Sequence, residues 1–391
     1  MPKNEIIDFS NQLKELAKDL SFLARPRYPL EELQKLFPQH KNFISELEDV
    51  SSPYAIDAKA KRQAIDNFLT HIETSNLSPE MKEIFRERAI DYGYLLSMME
   101  NFGSDKFYEL CKKIYGTSLD PEKNKLFQVF LNEVEPFCSE EFSEIKLKGD
   151  EALQYLRSKL QATFTDTDIE VKASTSLLSD SSAGRKVLKL NPNKVYSTQQ
   201  LDIFLVHEGW AHLGTSLNGS LQIAHPWLGT WAPRTTLLQE GLAILTELIT
   251  NCMTKERWNK VKLRHLGTTM AEKGSSIKDV YAFLRLQEME ELDAFKLSLR
   301  IFRGVPLDGG RAFTKELLYL YGLLKLLNHL EKNQTNLKTL WVGKVSFEEH
   351  QVLLDRWGEF NPLIKYYPQE LEDPLAQKRL KQLQKMISKY F

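Results

Sequence analysis

The chain has 391 residues, a formal charge of −1 and 42% hydrophobic residues, enough to form one large core or two ordinary ones. A charge this close to neutral excludes a general electrostatic attraction to nucleic acid or to an anionic membrane, and we expect neither as a partner. The first residues lack a basic start followed by an apolar run, and no apolar stretch is long enough to cross a bilayer, so we expect a soluble, cytoplasmic protein. The three widely spaced cysteines predict free thiols rather than a disulfide framework.

The first third of the chain has a helical, amphipathic pattern. One helix is predicted at the N-terminus, a second around Met81 to Met99, and a third that ends near Gly116. This part carries no clear chemistry, and it is either a cap on a catalytic part or a surface that binds a partner. The polar segment from Pro136 to Gly149 is the best candidate for a boundary, which predicts an N-terminal helical region at 1–148 and a catalytic domain at 149–391. The apolar residues that define the first helix are Ile6, Phe9, Leu13, Leu16 and Leu20.

Two short runs beyond this boundary change to the period of a β-strand. Ile169, Val171 and Ala173 alternate with polar residues, and a second strand is predicted over Val187 to Asn191. A small sheet of this kind can bind an extended peptide along its edge through main-chain hydrogen bonds. It can equally be a structural hairpin that only packs on a helix, and the sequence does not decide between these interpretations.

The motif His207-Glu208-Gly209-Trp210-Ala211-His212 lies in a helix whose start is predicted by a capping box from Ser197 to Gln200. Positions five apart on a regular α-helix diverge by roughly 140°, so a regular helix would direct the two imidazoles to different faces. Two histidines on one metal therefore require one extra residue in the turn, as in a π-bulge. Gly209 lies inside the interval and would ease this distortion. The alternative is that the two histidines are unrelated residues of an amphipathic helix.

A second helix is predicted to begin with a capping box at Thr236 to Gln239, and it carries Glu240. Two imidazoles and a carboxylate, with a fourth position open to water, are the ligand set of a catalytic zinc. His207, His212 and Glu240 are therefore the predicted metal ligands, and Glu208 is the predicted general base. Glu247 is a candidate for orienting an imidazole. The segment between the two helices, from Gly214 to Arg234, is predicted to be an irregular loop.

Cationic side chains and a tyrosine follow in the last third of the chain. A helix is predicted from Leu286 to Arg303, with Arg300 and Arg303 on one face. Another is predicted to begin at Phe313 and Thr314, with Lys315 and Tyr319 on one stripe. Arg300, Arg303 and Lys315 are candidates for binding a substrate carboxylate, and Tyr319 is a candidate for stabilising an oxyanion, although each is also common as a solvated or core residue.

These motifs resemble the tyrosine carboxypeptidase family, which includes the animal microtubule-associated tyrosine carboxypeptidase and the bacterial flavohemoglobin expression-modulating QEGLA-motif proteins. The resemblance rests on HEGWAH at 207–212, QEGLA at 239–243, RIFRG at 300–304 and GGRAFTKELLYLYG at 309–322. It implies that His207, His212 and Glu240 bind zinc and that Glu208 is the base. Glu316 replaces the aspartate that usually follows the lysine of the last motif. The known activity of the animal members is removal of a C-terminal tyrosine from tubulin, and the substrates of the bacterial members do not follow from the resemblance.

Residues and resemblance together predict an α+β, predominantly α-helical protein with a gluzincin-like zinc metallopeptidase core, in which a small β-sheet lies beside the metal helix. The predicted function is a Zn²⁺-dependent carboxypeptidase that removes an aromatic, tyrosine-like residue from the C-terminus of a peptide or protein. Two alternatives stay open. The first is an aminopeptidase or an endopeptidase that uses the same zinc centre. The second is a regulatory protein that binds zinc and needs no base. Glu208 argues against the second alternative, because a structural zinc site has no use for a base and is usually closed by a fourth ligand.

Overall fold

The computed structural model describes residues 3–20, 57–140, 145–175 and 177–389. The α-helices, in chain order, are α1 Lys3–Ala17, α2 Ala58–Thr74, α3 Pro79–Glu100, α4 Asp105–Tyr115, α5 Pro121–Val134, α6 Asp150–Thr163, α7 Thr198–Phe204, α8 Gly214–Ser220, α9 Thr235–Ile249, α10 Lys255–Glu272, α11 Ile277–Leu286, α12 Glu291–Ile301, α13 Leu318–Asn333, α14 Phe347–Asp355, α15 Trp357–Phe360 and α16 Pro374–Ile387. A π-helix, Leu205–Leu213, joins α7 to α8. Short 3₁₀ helices lie at Glu135–Phe137, Pro226–Gly229, Thr314–Leu317, Leu337–Val342 and Gln369–Glu372.

The strands are short and form two small sheets. Strands β1 Lys146–Lys148 and β5 Val195–Ser197 pair antiparallel. Strands β2 Glu170–Ala173, β3 Ser181–Ala183 and β4 Val187–Leu190 form the other sheet in the order β2-β4-β3. Both predicted strands are confirmed, but β2 and β4 run parallel, so they do not form a hairpin. The serine-rich stretch between them, which the sequence did not predict as a strand, is the edge strand β3 and pairs antiparallel with β4. The α+β, predominantly helical fold class is therefore confirmed.

The chain forms two compact units that interleave along the sequence. The first contains the described residues of Met1–Pro121 with Thr230–Arg234 and Leu263–Leu317, and the second contains those of Glu122–Gly229, Thr235–Lys262 and Leu318–Phe391. The units thus do not follow one boundary in the sequence, and the functional division at 148 stays a prediction. Part of the predicted N-terminal region, residues 21–56, lies outside the described residues.

The first unit is organised by apolar helix faces. All five apolar residues predicted to define the N-terminal helix are buried. Phe9 of α1 contacts Phe68 of α2 edge-on at 5.6 Å and stacks on Phe85 of α3 at 5.8 Å between ring centroids. Such aromatic pairs add to the hydrophobic gain of burial, so this cluster fixes how α1, α2 and α3 pack.

Two helix predictions in the last third of the chain were wrong. The helix predicted from Leu286 to Arg303 is interrupted, because Glu288 has a left-handed φ of 60° and the Glu290 side chain caps α12 by accepting from the Asp293 N–H. Helix α12 ends at Ile301, so Arg303 lies beyond it and does not share a helix face with Arg300. The second predicted helix is also divided, into a 3₁₀ turn at Thr314–Leu317 and then α13, so Lys315 and Tyr319 do not lie on one helical stripe.

Two features near the histidine motif also differ from the prediction. Part of the loop predicted from Gly214 to Arg234 is helical, because α8 continues directly from the π-helix. Helix α9 begins at Thr235, so Thr236 lies in its first turn instead of capping it.

Among the described residues, no helix combines the length and the apolar character needed to span a membrane. Cys111, Cys138 and Cys252 are free thiols, as predicted.

Helices α9 and α13 of the second unit cross in close contact at two glycines. A Cβ atom on Gly241 would lie 2.3 Å from the backbone carbon of Gly322, and a Cβ on Gly322 would lie 2.2 Å from the Leu237 carbonyl oxygen. These atoms belong to the backbone, so no side-chain rotation could make room for the added Cβ atom. The glycines therefore permit a close approach of the helix that carries Glu240.

We predict that Gly241→Ala lowers the free energy of unfolding by about 1–3 kcal/mol or more, because the added methyl group overpacks two backbones. Gly93→Ala in α3 is the matched control, since nothing lies within 4 Å of its Cβ position. The control should be neutral or stabilising by up to about 1 kcal/mol through helix propensity. Denaturant unfolding monitored by circular dichroism would measure both variants. Equal stabilities would contradict the close helix crossing.

Candidate metal centre

The helix that carries the histidines begins at the predicted capping box. The Ser197 hydroxyl accepts from the Gln200 N–H at 3.1 Å, and the Gln200 side-chain oxygen accepts from the Ser197 N–H at 3.2 Å. This reciprocal pair satisfies two backbone donors that no turn of the helix can reach. It fixes where α7 starts and therefore where the motif at 207–212 falls along the helix.

The motif lies in the π-helix Leu205–Leu213, which confirms the extra residue that the spacing of the histidines requires. Because a π-helix bonds residue i to residue i+5, positions five apart come onto the same side. The ring centroids of His207 and His212 are 4.9 Å apart, and the rings are nearly perpendicular at 88°. Gly209 faces α6, where a Cβ atom would lie 2.7 Å from Leu160 Cδ2. Close packing on α6 is thus a second reason for glycine at this position.

Glu240 of α9 completes a cluster with the two imidazoles. Its Oε2 lies 3.6 Å from His207 Nε2 and 4.0 Å from His212 Nε2. One ligand atom from each of the three residues lies within 4.8 Å of the other two. Donors around a tetrahedral zinc are about 3.3 Å apart, given bonds of about 2.0–2.1 Å. Small side-chain movements would therefore let the three residues hold one metal ion, and their donor types suit zinc.

A buried carboxylate and an arginine hold the His207 imidazole on its Nδ1 side. His207 Nδ1 lies 2.6 Å from Glu247 Oε1, and Arg257 donates to both carboxylate oxygens of Glu247 at 3.0 Å. The contact with Glu247 leaves Nε2 as the nitrogen that faces Glu240. A carboxylate in this position fixes the orientation of a metal-binding imidazole and raises its basicity. Glu247 was a sequence candidate for this role, whereas Arg257 gave no signal in the sequence.

The charges of this cluster favour a cation between the imidazoles and Glu240. Burial opposes a charged imidazole, but the carboxylates of Glu240 and Glu247 outweigh it and raise the pKa of His207 to about 10. At 3.6 Å the attraction to Glu240 is ionic, whereas the contact with Glu247 is a hydrogen bond. Burial would raise the pKa of Glu247, yet Arg257 and His207 lower it to about 2. The site therefore stabilises positive charge at the position where a metal would bind.

Glu208 lies between the metal cluster and the edge strand β3. Ser181 Oγ donates to Glu208 Oε1 at 3.2 Å, and the Ala183 N–H donates to the same carboxylate. Burial raises the pKa of Glu208, while His207 and these two donors oppose the rise. A carboxylate whose pKa is raised by burial and which a few donors hold in place is well suited to accept a proton. Ser181 is a site residue that the sequence did not reveal, because a serine-rich stretch gave no signal for a strand.

The other predicted site residues occupy different surroundings. Tyr319 of α13 is buried and its ring stacks on His207 at 6.2 Å between centroids. Arg300, Arg303 and Lys315 belong to the first unit. Arg300 donates to Glu316 Oε1 at 2.9 and 3.0 Å, so the glutamate that replaces the usual aspartate holds an arginine. Arg303 lies over the Phe313 ring at 6.0 Å from its centroid, and Lys315 is buried.

These features define a mainly helical α+β protein with a largely buried His-His-Glu cluster that can hold a metal ion. The model of the microtubule-associated tyrosine carboxypeptidase family matches residues 38–386, nearly the whole chain and all of the cluster, so the chain belongs to this family. Membership places it among peptidases of the carboxypeptidase class. No curated protein gives a significant match to the chain.

We predict that Glu247→Gln lowers the pKa of His207 in the metal-free protein from its value of about 10, because the amide keeps the hydrogen-bonding shape but loses the charge. A raised imidazole pKa stabilises the fold below the unfolded value of 6.5, and this contribution disappears as the pH rises through 10. The Glu247→Gln variant should therefore lose this stabilising contribution at a lower pH than the wild type does. NMR titration of the histidine rings would measure the shift, with Glu349→Gln as a buried control. An unchanged pKa of His207 would contradict this charge balance.

Proposed function

We propose that the protein is a zinc-dependent carboxypeptidase with a gluzincin-like core, which removes one residue, aromatic and tyrosine-like, from the C-terminus of a peptide or protein. The observation that carries the proposal is the π-helical turn that places His207 and His212 within 4.8 Å of Glu240, with Glu208 beside them. Family membership supports the choice of a carboxypeptidase over other peptidases.

The residues of the second unit have distinct roles in this mechanism. His207, His212 and Glu240 would hold zinc, and the metal would polarise a carbonyl and lower the pKa of water toward about 7. Glu208 takes the proton of the attacking water and passes it to the leaving amine. Its elevated pKa brings the carboxylate closer to the range in which it can do both. The phenol of Tyr319 donates to the developing oxyanion.

Substrate binding uses charge and main-chain hydrogen bonds. Arg300, Arg303 and Lys315 are assigned to the substrate carboxylate by their charge, since guanidinium and ammonium groups pair well with carboxylates. Strand β3 is at the edge of its sheet and bonds Glu208 through Ser181 and Ala183. An extended substrate that pairs with this edge would reach the base directly, which favours the peptide-binding interpretation of the sheet.

We predict that the zinc-loaded protein shortens free-acid peptides by one C-terminal residue and leaves the amidated peptides intact. Glu208→Gln should retain zinc and lose about 10²–10⁴-fold in rate, because the amide cannot accept the proton. Glu170→Gln, an exposed residue of β2, is the matched control and should keep full activity. Mass spectrometry of peptides with varied last residues, including N-acetylated ones, would measure the products.

Each other outcome of this assay identifies a different function. Removal of N-terminal residues that acetylation blocks would indicate an aminopeptidase, and internal cleavage of amidated peptides would indicate an endopeptidase. Zinc binding without cleavage of any peptide would favour a regulatory protein. Activity that survives in Glu208→Gln would overturn the assignment of the base.

We also predict that zinc binding at pH 7 releases about one proton, because the metal replaces the proton that His207 holds with a pKa of about 10. Zinc affinity should therefore rise with pH up to that value. Calorimetry in buffers of different ionisation enthalpy would measure the released protons. Zinc binding without proton release would mean that His207 is neutral in the metal-free protein or is not a ligand.

A further inference from the structure

The ammonium group of Lys344 is buried between the two elements that carry the metal cluster. Its Nζ donates to the His212 carbonyl oxygen at 2.9 Å, to Thr215 Oγ1 at 2.9 Å and to Gln239 Oε1 at 2.6 Å. An ammonium group has three protons, and these three acceptors use all of them. His212 is one of the proposed ligands, and Gln239 directly precedes Glu240. One side chain therefore joins the positions of two ligands that lie on different helices.

The end of the π-helix provides the carbonyl group with which Lys344 bonds. Where the π-helix changes to α8, the carbonyl groups of Ala211 and His212 are bonded by side chains. Thr215 Oγ1 donates to the Ala211 oxygen at 2.7 Å, its nearest backbone acceptor, and this leaves the Thr215 oxygen available to Lys344. The Ser216 hydroxyl donates to the His212 oxygen at 2.8 Å. Positive charge is favourable beside carbonyl groups that point out of a helix turn. Burial lowers the pKa of Lys344 to about 7 against the opposing carboxylates of Glu240 and Glu208, so the protonated form of the lysine supplies this charge.

The backbone of Lys344 is fixed as well as its side chain. The Lys344 N–H donates to the Leu228 carbonyl oxygen at 2.7 Å. The preceding Gly343 packs so closely that a Cβ atom would lie 2.4 Å from the same oxygen. Since both ends of the lysine are held, its ammonium group is a fixed point between the π-helix and α9, not the end of a mobile side chain.

We propose that Lys344 is a positioning residue of the metal centre, whose ammonium group sets the separation between the His212 imidazole and the Glu240 carboxylate. The proposal rests on the proposed metal centre. His212 Nε2 and Glu240 Oε2 are 4.0 Å apart, and tetrahedral coordination brings such donors to about 3.3 Å. Metal affinity depends on how well the protein holds its ligands near that geometry. Loss of the ammonium removes the one donor that all three acceptors share, although Ser216 still bonds the His212 oxygen, and it frees the two helices to shift.

The test is Co²⁺ binding by the full chain, because the visible absorption of Co²⁺ reports the geometry of its ligands. Lys344→Met keeps the length of the aliphatic chain and removes the ammonium group. It should lower Co²⁺ and Zn²⁺ affinity by about 10–100-fold, measured by chelator competition, and should change the position or intensity of the Co²⁺ bands. Leu353→Ala in α14 is the matched control, because it removes buried volume but no polar atom of this network. It should lower the melting temperature and leave the Co²⁺ affinity and spectrum unchanged.

A second variant makes the test independent of how well Lys344→Met folds. Gln239→Met removes one acceptor of the same ammonium group and should weaken Co²⁺ binding in the same direction, by a smaller factor. The double variant should lose less affinity than the product of the two single losses, because the two side chains act as one unit.

The outcomes separate this proposal from the metal centre itself. Wild-type affinity and spectrum in Lys344→Met, or in Gln239→Met if the first variant does not fold, would overturn the positioning role alone. Equal changes of Co²⁺ affinity and spectrum in Leu353→Ala would mean that Lys344 acts only through the stability of the fold. Failure of the wild type to bind Co²⁺, or binding that survives His207→Ala, would overturn the metal centre and with it this proposal.

Discussion

The candidate site depends on one local feature, the π-helical turn at Leu205–Leu213. A regular α-helix would separate the two imidazoles by roughly 140°, and no movement of Glu240 would then complete the cluster. Where the turn joins α8, the Thr215 hydroxyl donates to the Ala211 carbonyl, and the Ser216 hydroxyl and the Lys344 ammonium donate to the His212 carbonyl. The chemistry of the motif and the packing around it are therefore parts of one arrangement.

Charge is the second constraint on this site. Glu240 and Glu247 are buried and Glu208 is half-buried, and burial together with the neighbouring charge of Glu240 raises the pKa of Glu208. Arg257 balances Glu247, and the proton on His207 balances part of the remainder. A divalent metal would replace that proton and compensate the other carboxylates. The same interactions that raise the pKa of His207 thus favour a metal ion at this position.

The sequence predicted the chemistry of the site better than its supporting structure. The ligand candidates and the need for an extra residue in the turn followed from the spacing of two histidines, because helix geometry leaves few alternatives. Arg257 and Lys344 could not be found in the same way, since a single lysine or arginine far along the chain gives no periodic signal. The continuous helix expected from Leu286 to Arg303 failed because a left-handed residue, Glu288, is not visible in a hydrophobic pattern. The serine-rich strand β3 was missed because its strand character comes from pairing with β4.

The proposed function requires that His207 and His212 of this turn bind one zinc ion together with Glu240 of α9. X-ray absorption at the zinc edge of the purified protein tests it most directly, because the ligand shell reports donor types and distances. We expect a shell of nitrogen and oxygen donors only, at about 2.0–2.2 Å, with the multiple-scattering pattern of two imidazoles that falls to one imidazole in His212→Ala. A sulfur shell near 2.3 Å, or a wild-type imidazole count in His212→Ala, would contradict it.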